Sequence, residues 1–139
     1  MKMLSARNQL SGIIKSISRG AVNAEVIITT PTGVEISSII TLGSCVRMNL
    51  EPGDNIIAVI KASDVMMAIG SELAISCRNN IPGLIKKINH SQVNDEIIID
   101  ANGAELVSII TQSSVKRLNL TENTKVSALI KASNVILMK

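Results

Sequence analysis

Ser5-Ala-Arg-Asn-Gln-Leu-Ser-Gly-Ile-Ile-Lys-Ser-Ile17 returns 71 residues later as Ser76-Cys-Arg-Asn-Asn-Ile-Pro-Gly-Leu-Ile-Lys-Lys-Ile88. The spacing drops to 70 across the turn at Pro31-Thr-Gly33. From there Ser38-Ile-Ile-Thr41 matches Ser108-Ile-Ile-Thr111, and Ala58-Val-Ile-Lys-Ala-Ser-Asp-Val65 matches Ala128-Leu-Ile-Lys-Ala-Ser-Asn-Val135. Identities number 12 of 24 over residues 5–28 and 16 of 36 over residues 33–68. The 139-residue chain is thus one unit written twice, a module over residues 1–70 and a second over 71–139. The join falls near Gly70-Ser71-Glu72 with no Pro-rich or low-complexity linker. Each unit sits near the lower size limit for an independent core, so the two are expected to pack closely.

Within each copy the hydrophobic period is mostly two, the signature of strands. In the first copy strands are predicted over Leu10–Ile17, Val22–Thr29, Val34–Thr41, Asn55–Lys61 and Val65–Ala68. Pro31-Thr-Gly33 and Glu51-Pro-Gly-Asp54 supply the turns. Leu42–Leu50 reads as one or two helical turns, with Thr41 or Ser44 placed to cap them. Five short strands with a helix after the third predict a mostly β chain: two tandem OB-like five-stranded Greek-key barrels, each with a short helix. Val22, Ala24, Val26 and Ile28 are assigned to the inner face, while Ile27, Ile39, Ile57 and Val59 fall opposite them. Apolar residues on both faces imply that the outside of the barrel is covered too.

Apolar residues make up 46% of the chain, yet it contains no Phe, Tyr or Trp, so the core must be aliphatic. The same absence argues against base stacking and against aromatic cages for methylated ammonium groups. Fourteen Lys and Arg against eleven Asp and Glu leave +3, evenly spread and with pI near 9.1, too weak for a phosphate-backbone binder. No nucleic-acid partner is expected. No apolar run is long enough to span a bilayer, and residues 1–12 have a basic start without an apolar stretch behind it. The chain therefore reads as soluble and cytoplasmic, without a membrane partner. Its mean hydropathy of +0.36 predicts that surplus apolar surface is hidden in subunit contacts, hence a homo-oligomer.

Comparing the copies separates packing from chemistry. Most matched residues are aliphatic or Gly, but the polar matches include Ser5/Ser76, Arg7/Arg78, Asn8/Asn79, Asn23/Asn94, Thr41/Thr111, Ser44/Ser114, Lys61/Lys131 and Ser63/Ser133. Nearly all are donors. A fully deprotonated oxyanion offers only acceptors, so a set of one Arg, one Lys, hydroxyls and backbone N–H groups suits it, and the charged donors strengthen the contact. A helix beginning near Thr41 would add N–H groups. Glu25/Glu96 and Glu35/Glu105 are the only acids repeated at corresponding positions. The plainer alternatives are that Lys61 and Ser63 are solvated surface, that Arg7 pairs with a nearby carboxylate, and that Asn8 and Asn23 bond their own turns.

Ser5-Ala-Arg-Asn-Gln-Leu10, Gly20-Ala-Val-Asn-Ala-Glu-Val26, Ser38-Ile-Ile-Thr41 with Ser44, and Ile60-Lys-Ala-Ser-Asp-Val65 together resemble the molbindin family of small molybdate-binding modules, in the Mop/TOBE style. The resemblance covers the whole chain and has the tandem form. It implies OB-like barrels assembled about a three-fold axis, a trimer of two-module chains, with molybdate or tungstate held between subunits. It also implies a cytoplasmic storage or buffering role without catalysis. Carried over residue by residue, it assigns Ser5, Ala6 and Arg7 to the anion from one module, Ala6 through its backbone, and adds Ser44. Lys61, Ala62 and Ser63 would close the site from another module. Ser76, Cys77, Arg78, Ser114, Lys131, Ala132 and Ser133 would take these roles in the second copy. A second kind of site, on the three-fold axis, would be lined near Gly20, Ala21, Val22 and Asn23. The second copy departs there, reading Ser91, Gln92, Val93 and Asn94 after His90.

Cys45 and Cys77 align with Val115 and Ala6 and make no CxxC pair, so they read as packing thiols. His90 aligns with Arg19 and reads as surface, and Met66-Met67 aligns with Ile136-Leu137 and reads as core filling. Neither a metal-cation site nor a catalytic group is expected; the anion is a ligand and not a cofactor. The leading expectation is molybdate or tungstate binding and storage. The alternative is a regulatory module that senses the anion and binds a protein partner.

Overall fold

The computed structural model describes residues 4–70 and 73–139, so Ser71 and Glu72 of the expected join lie outside the described residues. The first repeat forms β1 (Asn8–Arg19), β2 (Asn23–Thr29), β3 (Glu35–Thr41), α1 (Leu42–Arg47), β4 (Asn55–Ile60), a 3-10 turn at Ala62–Asp64 and β5 (Met66–Ala68). The second repeats the order with β6 (Asn79–Asn89), β7 (Asn94–Ala101), β8 (Ala104–Thr111), α2 (Gln112–Arg117), β9 (Lys125–Ile130), a 3-10 turn at Ala132–Asn134 and β10 (Ile136–Met138). The mostly β fold, with five-stranded curled sheets and few short helices, is the one the periodicity predicts.

Local chemistry explains the element ends. Thr41 caps α1 by accepting from the Ser44 N–H (3.1 Å), and Thr111 caps α2 in the same way from Ser114 (3.2 Å). Asn49 and Asn119, with φ of 50° and 53°, take the left-handed conformation that ends each helix. The residue missing from the second copy has left a two-residue Asn102-Gly103 hairpin turn, both at positive φ (54° and 88°). β1 is long because it serves two partners: Asn8–Ile13 pairs with β4 and Ile13–Arg19 with β2, with a register shift between Ile14 and Ser16 that bends it. At the bend Gly12 lies so close to β2 that a Cβ would stand 2.6 Å from Ile28 Cγ2 and 2.7 Å from the Thr29 carbonyl oxygen.

The sheet order contains something the repeat does not disclose. The sheets run β10-β4-β1-β2-β3 and β5-β9-β6-β7-β8, so each takes its short fifth strand from the other repeat. Ile136–Met138 pairs with Ile57–Val59, and Met66–Ala68 pairs with Ser127–Leu129. A strand written twice fits either sheet, so sequence similarity could not assign it.

The crossing segments are fastened reciprocally. The Ser38 hydroxyl donates to the Val135 carbonyl (2.7 Å) and the Ser108 hydroxyl to the Val65 carbonyl (2.5 Å). Asn8, for which the plainer alternative is a bond to its own turn, and its match Asn79 are both buried and reach across to the other repeat. Asn8 Nδ2 donates to the Val107 carbonyl (2.8 Å) and its Oδ1 accepts from the Val107 N–H (2.7 Å). Asn79 does the same with Ser37, at 2.8 and 2.7 Å. A side-chain amide carries the donor and acceptor of a peptide unit, so each Asn adds one rung to a strand of the other repeat.

The core is one continuous aliphatic cluster running through both sheets, with Ile14, Val26, Ile28, Ile36 and Ile60 answering Ile85, Ile97, Ile99, Leu106 and Ile130. Ala24, Val26 and Ile28 face inward as predicted, but Val22 precedes β2 and is 72% exposed. Val59, assigned to the outer face, is buried where β10 covers it. Of the methionine pair, Met67 packs against the core while Met66 is exposed. No helix among the described residues is long and apolar enough to cross a membrane.

Candidate functional site

The 3-10 turn after β4 places Lys61, Ala62 and Ser63 beside the segment that enters β1, because Asn8 at the start of β1 pairs with Ile60 at the end of β4. Ser5, Ala6, Arg7, Lys61, Ala62 and Ser63 consequently line one cavity of about 580 Å³. Val59, Ile109 and Ile136–Met138 supply an apolar wall, the last four coming from the second repeat. In the second copy Ser76, Cys77, Arg78, Lys131, Ala132 and Ser133 line a smaller cavity of about 270 Å³, with Ile39 and Met66 from the first repeat. The triplets expected to meet from separate modules thus meet within one repeat. The other repeat contributes wall.

Each cavity holds one Arg, one Lys and two serines, and no group of His, Cys, Asp and Glu able to hold a metal cation occurs among the described residues. Lys61 and Ser63 are exposed and Ala62 is buried, an arrangement that anchors the turn and leaves its polar side chains free to face the opening. Cys77 departs from the simple packing reading by lining the second cavity, half-buried, its thiol donating to the Asn79 carbonyl at 3.7 Å. Cys45 is a buried packing thiol as expected.

The arginines have carboxylate partners, as the plainer reading of Arg7 anticipated. Arg7 Nη1 donates to Glu96 at 2.6 Å and Arg78 Nη1 pairs with Glu25 at 2.5 Å, both pairs crossing between repeats. Glu96 also accepts from Asn89 Nδ2 at 2.8 Å. The Asn89 hydrogen bond, and then that of Arg7, hold its carboxyl below the usual glutamate range.

Ser44 and Ser114 line neither cavity. They sit in α1 and α2, where the Ser44 N–H is taken by Thr41 and the Leu42 N–H by the Val22 carbonyl. Two of the backbone donors that a helix near Thr41 would offer are therefore spent inside the fold. Ala21 and Val22 lie in a separate surface depression with Leu42, Gly43, Val46 and Arg47, while the Gly20 N–H donates to the Asn23 carbonyl (2.8 Å) to close the turn. In the second copy the corresponding turn is tied differently. The Ser91 N–H donates to Asp95 Oδ1 (3.1 Å) and Gln112 Nε2 to the Ser91 carbonyl (3.2 Å), while the bond from the Gln112 N–H to the Val93 carbonyl (2.8 Å) repeats that of Leu42 to Val22. Gln92, Val93 and Asn94 are exposed there. His90 is exposed as expected, but its Nδ1 lies 2.8 Å from Oδ2 of the buried Asp95, where the first repeat has Ala24. Neither of these turn segments borders the cavities.

The TOBE domain model matches twice, at residues 4–67 and 75–137. The chain belongs to the TOBE-domain family. Among relatives of this tandem TOBE chain, the molybdenum-pterin-binding protein MopA of Rhodobacter capsulatus is 38% identical over 135 residues, 96% of the chain and 51% of MopA. The chain thus spans about half the length of that relative. A probable molybdenum-pterin-binding protein of Haemophilus influenzae is 44% identical over 66 residues, 48% of the chain and 96% of the relative. Among solved structures, the cytoplasmic molybdate-binding protein ModG in its molybdate-bound crystal form superposes with a TM-score of 0.94 at 37% identity, covering 98% of both chains. The TOBE assignment carries with it the molbindin resemblance read from the motifs.

Proposed function

We propose that this tandem TOBE protein binds molybdate or tungstate reversibly at its two cavities, storing or buffering the anion without catalysis. The observation that carries this reading is the pair of matched cavities, each combining one guanidinium, one ammonium and two hydroxyls. Every member of such a set can donate, and a tetrahedral dianion with no proton of its own accepts only. A site recruiting metal cations would require the opposite chemistry. The likeness to molybdate-bound ModG over nearly the full length supports the choice of anion and a cytoplasmic setting. Exposed Val22 and Val46, with Leu42 between them, form an apolar patch suited to a three-fold contact between copies, in which the cavity mouths and Ser44 or Ser114 of neighbouring chains come together.

Calorimetric titration with molybdate tests this reading. The wild-type chain should take up anion, and Lys61→Ala with Lys131→Ala should lower the affinity by at least about tenfold while native mass spectrometry shows the assembly intact. Unchanged stoichiometry and affinity in the double variant would overturn it. The same patch also favours a second reading, an anion-sensing module that docks a protein partner there. A trimer that buries Val22 and Val46 and captures nothing further would dispose of that alternative.

A further inference from the structure

Glu25 and Glu96 are the only acids besides Glu35 and Glu105 that the two copies share at matched positions, and the proposed anion site has no use for them as ligands. Their placement follows the cavities. Glu96 on β7 stands directly opposite Ile109 of β8, and Ile109 lines the first cavity, whose Arg7 the carboxylate holds. Glu25 on β2 stands opposite Ile39 of β3, and Ile39 lines the second cavity, whose Arg78 it holds. Cross-strand neighbours lie only about 5 Å apart, so each carboxylate is at the rim of the cavity belonging to the other repeat.

Resting on the oxyanion reading above, we propose that Glu96 and Glu25 are internal counter-anions. Each holds the cavity arginine in place while the cavity is empty and weakens the hold on the oxyanion when it is filled.

The charge count makes the case. Arg7 and Lys61 bring two positive charges to the first cavity and Glu96 returns one negative, so a dianion leaves the site at −1 rather than neutral. The arrangement also orders the guanidinium before the ligand arrives. Glu96 takes one Nη1–H and leaves the other four of the five N–H groups of Arg7 to turn toward the cavity. Glu96 is the more firmly fixed of the two acids, because Asn89, which replaces Ser18 of the first repeat, also donates to it. Half-buried at the rim, both glutamates repel an entering anion without closing the cavity to it. Even at the dielectric of water, a single and a double negative charge one side-chain length apart repel enough to cost about tenfold in affinity. A protein that must give its anion back gains from such a weakening.

Glu25→Gln combined with Glu96→Gln keeps a carbonyl acceptor for each arginine and removes the negative charge, at Glu96 giving up the Asn89 hydrogen bond as well. Titrated with molybdate at low ionic strength, the double variant should bind about tenfold more tightly than wild type, and the gain should shrink in high salt. Glu96→Gln alone should tighten about half of the sites, which keeps the test available if the double variant melts. A merely structural role for the pairs predicts the opposite, weaker binding in both variants. Wild type that binds molybdate while the Gln variants bind equally or more weakly would overturn the counter-anion role and leave the oxyanion reading standing. Wild type that binds no molybdate would overturn both.

Discussion

Asn8→Ala removes a side chain that is 2% exposed and makes two hydrogen bonds to a strand of the other repeat. The Val107 N–H and C=O then lose their partners at a place where Val107 is itself only 8% exposed. Each buried backbone group left unpaired costs about 1–3 kcal/mol. The expected loss is about 3 kcal/mol. For a chain of this length 1 kcal/mol corresponds to about 3–4 °C, so the melting temperature should fall by roughly 10 °C. Asn79→Ala should cost a similar amount through Ser37, whereas Asn23→Ala, exposed in its turn, should change little. Differential scanning calorimetry together with urea unfolding measures both quantities. A shift of less than about 3 °C for Asn8→Ala, with an unchanged urea slope, would refute the idea that these amides clamp the repeats together.

Gly12→Ala should destabilise by about 2 kcal/mol or more in the same assays, since the new Cβ meets β2 backbone that cannot withdraw. Ser37→Val should raise stability by about 1 kcal/mol, because the Ser37 hydroxyl is buried without a partner and the second repeat carries Val107 at that position. The Glu96 carboxyl has a lowered pKa in the folded chain, so its stabilising contribution is present above the ordinary value of 4.5 and is lost as the pH falls below it. Asn89→Ala should therefore flatten the acid limb of a urea-midpoint profile, and an unchanged limb would contradict the assignment. Asp54 behaves alike. Its carboxyl is lowered by the Glu51 N–H and then by Lys139, so Lys139→Ala should narrow its acid-sensitive range as followed by NMR titration of the side chain.

Much of this architecture could be read before any coordinates. Period-two runs such as Ala24, Val26 and Ile28 placed the strands, because inner and outer faces differ in sidedness. The donor set was legible because a residue matched in both copies and lacking a packing reason stands out, as Arg7, Lys61 and Ser63 do. The exchange of β5 and β10 was hidden, since two near-identical strands compete equally in sequence for either sheet. The inter-repeat role of Asn8 was hidden for a related reason: an Asn bonding its own turn and one completing a distant ladder offer the same atoms. Ser44 shows the limit of residue type as a guide, because its N–H is spent capping a helix and its side chain lies away from the cavity. The pairing of Glu25 and Glu96 with arginines of the opposite repeat needed the three-dimensional register, although their repetition had already marked them.

The central claim is that each chain offers two oxyanion cavities, one between Arg7 and Lys61 and the other between Arg78 and Lys131. Anomalous diffraction from crystals grown with tungstate locates the heavy atom directly. The account predicts one strong peak within hydrogen-bonding reach of the Ser5–Arg7 and Lys61–Ser63 segments and a second at Ser76–Arg78 and Lys131–Ser133. Peaks confined to other surfaces, with both cavities empty at saturating tungstate, would contradict it.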